Sequence, residues 1–200
     1  DSVDTSTAFD RSPYGNDGTL TSGTICNSTT GKYSGGCFFD GDDDIVLVTD
    51  SDSMDINIST ISMWFKVDIL PSVAVDKYLL IEKWIGTGDQ RSYDIALSSS
   101  TDKIEFRVDA DGVSGSAVTV TSDNAVVIDR WIYLAVTFDG TTSKMYVDGV
   151  LQSSTGTPVG IFASTQDVAI GGDSASGNYF DGTIDEFRVY KRALAPEEIR

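Results

Sequence analysis

Apolar and polar residues alternate with a period of two along much of this 200-residue chain. In Lys103–Asp109, for example, Ile, Phe and Val occupy every second position and charged residues occupy the others. Successive side chains of a strand point to opposite faces of a sheet, so this alternation predicts strands with one buried face. Ile61–Val67 and Trp131–Phe138 follow the same pattern. The chain is therefore predicted to be rich in β-structure.

Gly, Asp, Asn and Ser separate the predicted strands. Asp148-Gly149 lies between two apolar runs and indicates a two-residue hairpin, because both central residues of such a turn favour positive φ. Only Ala193–Ile199 has a helical pattern, with Pro196 early and glutamates in its first turn. Further strands are expected near residues 18–25, 35–40, 44–48, 77–84, 92–98, 116–121, 145–147, 167–171 and 182–190. So many short strands, in one domain spanning residues 1–200, predict an all-β sandwich of two antiparallel sheets.

The formal net charge of −17 excludes several classes of partner. It repels nucleic acid and anionic membrane surfaces, and no apolar run reaches the roughly 18 residues that membrane insertion requires. The absence of histidine excludes Ser-His and Cys-His nucleophiles and histidine-bound zinc. Asp supplies most of the acid, which is typical of turns and calcium loops. A solvated surface adapted for solubility is the alternative interpretation.

The cysteines, Cys26 and Cys37, are close in sequence and flanked by Gly, Ser and Thr. Two cysteines alone cannot form a structural zinc site. A disulfide across a hairpin is predicted, which places the protein in an oxidising compartment, extracellular or at the cell surface. Two free buried thiols are the alternative.

Four segments occur in an order that resembles a known family. They are Asp10–Leu20, Phe39–Val48, Trp131–Gly149 and Phe180–Leu194. Together they are similar to the laminin-G-like and pentraxin-like branch of the concanavalin A-like lectin/glucanase superfamily. The resemblance implies a jelly-roll sandwich.

The family usually begins with an apolar strand ahead of the first motif, whereas only nine polar-leaning residues precede Asp10. The first strand of the fold is therefore expected to be absent from this chain or to lie upstream. Its loss would leave a sheet edge unpaired, and a strand from a neighbouring subunit could fill that edge. A trimmed start or a divergent strand is the alternative.

The resemblance also implies a structural calcium ion. Asp185 shares strand parity with Phe187 and Val189, which are expected to face the core, and a buried carboxylate there requires a hydrogen-bonding or cationic partner. The expected ligands are Asp185 and the Gly41 carbonyl, then Asp10, and finally Asn16 and Asp40. The alternative is that Asp10 and Asn16 cap turns through their own backbone.

Pentraxin-like relatives suggest a second site in loops at one rim. The corresponding ligand-binding residues are Asp89, Gln90, Asp173 and Asn178, with Trp84 and Tyr93 as a surface for sugar stacking. The alternative is a pair of polar turns, because aromatic residues in strands are commonly core residues.

Catalysis is not expected. Glycosidases require two carboxylates roughly 5–10 Å apart, whereas Glu105 and Asp109 lie about 13 Å apart along one predicted strand. The sequence therefore predicts a non-catalytic, calcium-stabilised extracellular module that binds a glycan or surface protein, as in adhesion. The alternative is a structural subunit that assembles with copies of itself into a filament, tubule or surface layer by strand complementation.

Overall fold

The computed structural model describes residues 6–33, 35–74, 76–85, 87–173 and 177–199. The strands in these ranges are β1 (Thr7–Ala8), β2 (Gly18–Thr21), β3 (Ile25–Asn27), β4 (Gly36–Asp40), β5 (Ile45–Val48), β6 (Ser59–Val67), β7 (Tyr78–Ile85), β8 (Gln90–Leu97), β9 (Lys103–Val108), β10 (Val118–Ala125), β11 (Ile132–Phe138), β12 (Ser143–Val147), β13 (Val150–Gly156), β14 (Val168–Ile170) and β15 (Asp181–Tyr190). A short helix, α1 (Pro71–Ala74), follows β6.

These strands form two antiparallel sheets. Sheet A has eight strands in the order β1-β2-β5-β14-β7-β8-β9-β10, and sheet B has seven in the order β13-β12-β11-β6-β15-β4-β3. The chain crosses from sheet B to sheet A between β4 and β5. The predicted all-β, two-sheet sandwich is confirmed.

The core lies between the sheets and is built by the predicted alternation. In β9, Ile104, Phe106 and Val108 are buried while the residues between them are partly exposed. Phe39 and Phe65 of sheet B are also fully buried. Each such side chain contributes about 1.5–3 kcal/mol through removal from water, which is why period-two patterning fixes the inward face of each strand.

The predicted hairpin is confirmed, but the predicted helix is not. Asp148 and Gly149 both have positive φ, 51° and 77° respectively, and join β12 to β13. Within Ala193–Ile199 only the 3₁₀ turn Pro196–Glu198 forms. The Glu198 carboxylate accepts hydrogen bonds from the Ala195 N–H and the Arg192 guanidinium, which closes a tight turn instead of an α-helix.

Cys26 and Cys37 form a disulfide, as predicted. They occupy directly opposed positions in the β3–β4 ladder, so the bond crosses a pair of neighbouring strands. Among the described residues, no helix combines the length and apolar character needed to cross a bilayer.

β15 contains a bulge that changes the direction of its side chains. Its first half pairs with β4 through Asp185↔Gly36, and its second half resumes pairing with β6 at Arg188↔Ser62. Between them Glu186 has a φ of 52°. One inserted residue reverses which face each later side chain occupies.

Candidate functional site

A groove of about 910 Å³ opens between the sheets beside β15. Apolar residues on its wall include Phe39, Val46, Met54 and Phe187. In the part of the chain that the structure describes, no strand pairs with Glu186–Tyr190 on the side facing away from β6. Unpaired backbone groups therefore border an apolar space, which is the environment that an added strand can satisfy.

A row of aromatic side chains, Tyr33, Trp64 and Tyr133, lies on the outer face of sheet B. Trp64 and Tyr133 are cross-strand partners in β6 and β11, and their ring centroids are 5.3 Å apart. Tyr33, in the loop before β4, packs edge-on against Trp64 at 5.8 Å and is 67% exposed. The Lys32 ammonium lies 5.0 Å from the centre of the Trp64 ring. We call these three residues the aromatic row.

Asp185 lies beside the aromatic row and not in the core. Ile184 points into the core, so Asp185 points outward, and it pairs with Trp64 across the β15–β6 ladder. The prediction that Asp185 faces the core with Phe187 and Val189 was wrong, because the bulge at Glu186 lies between Asp185 and Phe187. The carboxylate is 5% exposed and accepts hydrogen bonds from the Tyr33 N–H (3.1 Å) and the Glu186 N–H (2.7 Å).

The structure separates Asp185 from Gly41. Asp185 is opposite Gly36, whereas Asp181 is opposite Asp40 in the same ladder. Gly41 therefore lies some five residues farther along, about 16 Å from Asp185 at the usual strand rise. These two predicted calcium ligands do not share one coordination sphere.

Asp10 and Asn16 both organise the loop between β1 and β2. Asp10 accepts hydrogen bonds from Ser12 and from the Asn16 N–H. Burial alone would raise the pKa of Asp10, but the Ser12 and Asn16 hydrogen bonds together hold it below its usual value. The Asn16 side-chain oxygen accepts hydrogen bonds from Ser51 and Ser53. Asp10 therefore caps its own turn, whereas the Asn16 side chain connects this loop to the segment between β5 and β6.

Asp40 has a different environment from the other predicted ligands. One oxygen from each of Asp40, Asp43 and Asp44 lies within 4.8 Å of the other two. Asp43 and Asp44 were not predicted, because their approach depends on the turn that joins the two sheets. Among the five predicted ligands, Asp40 alone belongs to this carboxylate cluster.

The four residues predicted to bind a ligand at one rim form two pairs at opposite ends of β7. Gln90 pairs with Ile85 at one end, where its carboxamide oxygen accepts hydrogen bonds from Ser164 and Thr165. Asp89 precedes it in the turn, with a φ of 52°. The Asn178 carbonyl accepts a hydrogen bond from the Leu79 N–H at the other end of β7, about 20 Å from Ile85 at the usual strand rise. Asp173 lies in the same loop as Asn178, and its carbonyl accepts a hydrogen bond from the Gly177 N–H at 3.0 Å.

The two aromatic residues predicted for sugar stacking do not form a joint surface. Tyr93 is fully buried in the core and donates a hydrogen bond to the Met54 carbonyl, so it offers no surface to a ligand. Trp84 is partly exposed, and the Arg107 guanidinium lies 4.8 Å from its ring centre. The sequence contained no local signal for the aromatic row, because Tyr133 meets Trp64 only through strand register.

Buried charges cross the outer face of sheet A in one line. Glu82, Asp94 and Arg107 are successive cross-strand partners on β7, β8 and β9. Arg107 donates to Asp94 at 2.8 Å, and Lys77 adds an ion pair at 3.4 Å. Burial, followed by the charges of Asp173 and Asp94, raises the pKa of Glu82 to about 9. We call Glu82, Asp94 and Arg107 the charge row.

Comparison with known proteins identifies related families and folds. The family described as "Concanavalin A-like lectin/glucanases superfamily" (Laminin_G_3) matches residues 39–200. A stretch of 86 residues is 35% identical to pappalysin-1 of Homo sapiens, covering 40% of this chain and 5% of that protein.

Two solved structures share the fold at low sequence identity. The binding domain of Paraclostridial Mosquitocidal Protein 1 matches with a TM-score of 0.76 and 16% identity, over 98% of this chain and 49% of that one. Domain 4 of AbnA, a GH43 extracellular arabinanase from Geobacillus stearothermophilus, in complex with arabinotriose, matches with a TM-score of 0.66 and 19% identity, over 91% and 85%. The chain thus spans a small part of pappalysin-1 and about half of the toxin structure.

Proposed function

The chain belongs to the concanavalin A-like lectin/glucanase superfamily, and from this premise we propose that it is a non-catalytic extracellular module that binds carbohydrate on a surface, as in adhesion. The aromatic row carries this proposal. Trp and Tyr combine a broad apolar face with a polar edge, which suits an amphipathic ring such as a sugar. The toxin binding domain and the arabinotriose complex are consistent with a binding role for this fold.

The preferred glycan is neutral. The net charge of −17 repels polyanionic chains over the whole surface. Lys32 is held over Trp64, so its charge already faces an aromatic ring. Stacking on aromatic faces, with hydrogen bonds from ring hydroxyls at the edges, needs no charge on the ligand.

We also propose that the module does not hydrolyse the glycan it binds. Asp94 is fully buried and bound by Arg107 and Lys77, and Glu82 is 7% exposed. A glycosidase carboxyl must reach the glycosidic oxygen or the anomeric carbon of its substrate. Glu82 and Asp94 are buried and therefore cannot reach a bound substrate. The disulfide is consistent with an extracellular location.

Replacing one tryptophan on each sheet tests the site. We expect Trp64→Ala to weaken binding to immobilised neutral oligosaccharides, with arabino-oligosaccharides as the first probe, by about tenfold or more. The matched control is Trp84→Ala, which removes the same side chain from sheet A and should leave affinity within about twofold. Thermal unfolding of both variants checks that each is folded. Equal losses, or binding unaffected by Trp64→Ala, would place the ligand elsewhere.

Self-assembly is a second candidate, favoured by the open edge of β15 and the groove beside it. An extended strand from another copy would pair with the free backbone of Glu186–Tyr190 and place alternate apolar side chains against Phe39 and Val46. Size-exclusion chromatography and negative-stain microscopy should then reveal large regular assemblies. A monodisperse monomer at high concentration would exclude this candidate and leave the glycan proposal intact.

A further inference from the structure

The segment Asp40–Asp44, which we call the acidic turn, joins β4 of sheet B to β5 of sheet A. Gly41 adopts a φ of 80°, which a side chain would strain. The Asp42 N–H donates to the Asp40 carboxylate at 3.0 Å, and the Asp40 N–H donates to Asp44 Oδ2 at 3.0 Å. Asp40 and Asp43 are exposed and Asp44 is buried, and one carboxylate oxygen of each lies within 4.8 Å of the other two.

Asp44 provides an observation independent of this clustering. Its side chain is 4% exposed, and its Oδ1 is buried without a hydrogen-bond donor. The neighbouring Thr24 hydroxyl donates instead to the carbonyls of Thr21 and Ile45. A buried carboxylate oxygen without a hydrogen-bond partner destabilises the fold, because burial removes its hydration and no protein donor replaces the lost water.

The acidic turn has no basic partner within the described part of the chain. Among the ion pairs of the described residues, none involves Asp40, Asp43 or Asp44. Asp181 adds a further acid beside Gly41, with its Oδ2 3.3 Å from the position of a Cβ there. The acidic turn and Asp181 therefore concentrate negative charge that no ion pair of the described residues balances.

We propose that the acidic turn binds one calcium ion through the carboxylates of Asp40, Asp43 and Asp44. Calcium accepts six to eight oxygen ligands in flexible geometry, so three carboxylates and water complete a shell. Magnesium demands a stricter octahedron and keeps its own water, and should bind more weakly. Because the turn joins β4 to β5, the ion would fix the conformation of this crossover between the sheets.

This site differs from the one expected around Asp185. Both oxygens of Asp185 already accept backbone hydrogen bonds, so that carboxylate is satisfied without a cation. Asp44 Oδ1 has no such partner. The carboxylate oxygen that a cation could satisfy therefore lies in the acidic turn and not at Asp185.

Calorimetric titration of the chelator-treated chain with calcium chloride tests the proposal. We expect one calcium per chain, a higher unfolding temperature in millimolar calcium, and a smaller rise in magnesium. Asp43→Asn should weaken calcium binding by about tenfold or more while the exposed position keeps the fold intact. Asp42→Asn, on the same turn but outside the cluster, is the matched control and should bind normally. Asp44→Asn should abolish binding, and its folding is checked separately by circular dichroism.

Two outcomes would overturn the proposal. One is no heat and no thermal shift in calcium for the native chain. The other is calcium binding that survives Asp43→Asn but is lost in Asp185→Asn, which would place the ion beside the aromatic row. Neither outcome bears on glycan binding by Trp64, which is measured separately.

Discussion

The charge row on sheet A and the acidic turn between the sheets both bury carboxylates, but they balance them differently. Asp94 is fully buried and bound by Arg107 and Lys77, and its neighbour Glu82 keeps its proton because its pKa is raised to about 9. In the acidic turn, Asp44 Oδ1 has neither a base nor a hydrogen-bond donor among the residues that the structure describes. The protein itself compensates the buried carboxylate in the charge row, whereas we propose that an external cation does so in the acidic turn.

The largest effect is expected from removing the charge of Asp94. Asp94→Asn should lower the free energy of unfolding by about 3 kcal/mol, because it leaves the partly buried Arg107 and Lys77 without their carboxylate. Urea denaturation at neutral pH measures this. Asp68→Asn is the control: it removes the partner of Lys66 in a more exposed pair and should cost less than about 1 kcal/mol. Equal losses in the two variants would show that Asp94 is not specially compensated.

A smaller gain is expected from Glu82→Gln. The folded-state pKa of Glu82 lies above its unfolded value, so the wild-type chain loses stability as pH rises from about 4.5 toward about 9. Glutamine mimics the protonated carboxyl and removes that loss, which amounts to about 2 kcal/mol near pH 6. Urea denaturation at pH 4.5 and about pH 6 tests this. A variant no more stable than wild type at the higher pH would contradict the protonated state.

The smallest effect is expected from Asp43→Asn without calcium. Removing one of three clustered negative charges should raise the unfolding free energy by a few tenths of a kcal/mol in chelator. In saturating calcium the variant should instead be less stable than wild type, because wild type then gains binding free energy that the variant lacks. Thermal scans in EGTA and in calcium give both values. A stability change of the same sign in EGTA and in calcium would contradict a calcium site in the acidic turn.

The strands were predictable because each depends on a local pattern. Ile104, Phe106 and Val108 alternate with charges, and any sheet that buries one face must bury these. Asp148-Gly149 specifies its own turn for a similar reason. The Cys26–Cys37 disulfide was also predicted, since the two residues flank one short hairpin.

The site was less predictable because it depends on register and on irregular backbone. The bulge at Glu186 reversed the expected direction of Asp185, and nothing in the sequence distinguishes that glutamate from a regular strand residue. Trp64 meets Tyr133 only once β6 and β11 are aligned. Asp40 was predicted as a calcium ligand by resemblance, but its neighbour Asp44 becomes buried only when β4 and β5 enter different sheets.

The most direct test of a calcium site in the acidic turn is an anomalous difference map from a crystal of the native chain grown with calcium. We expect one peak about 2.3–2.6 Å from oxygens of Asp40, Asp43 and Asp44. An empty acidic turn, or a peak beside Asp185 between Tyr33 and Glu186, would contradict it.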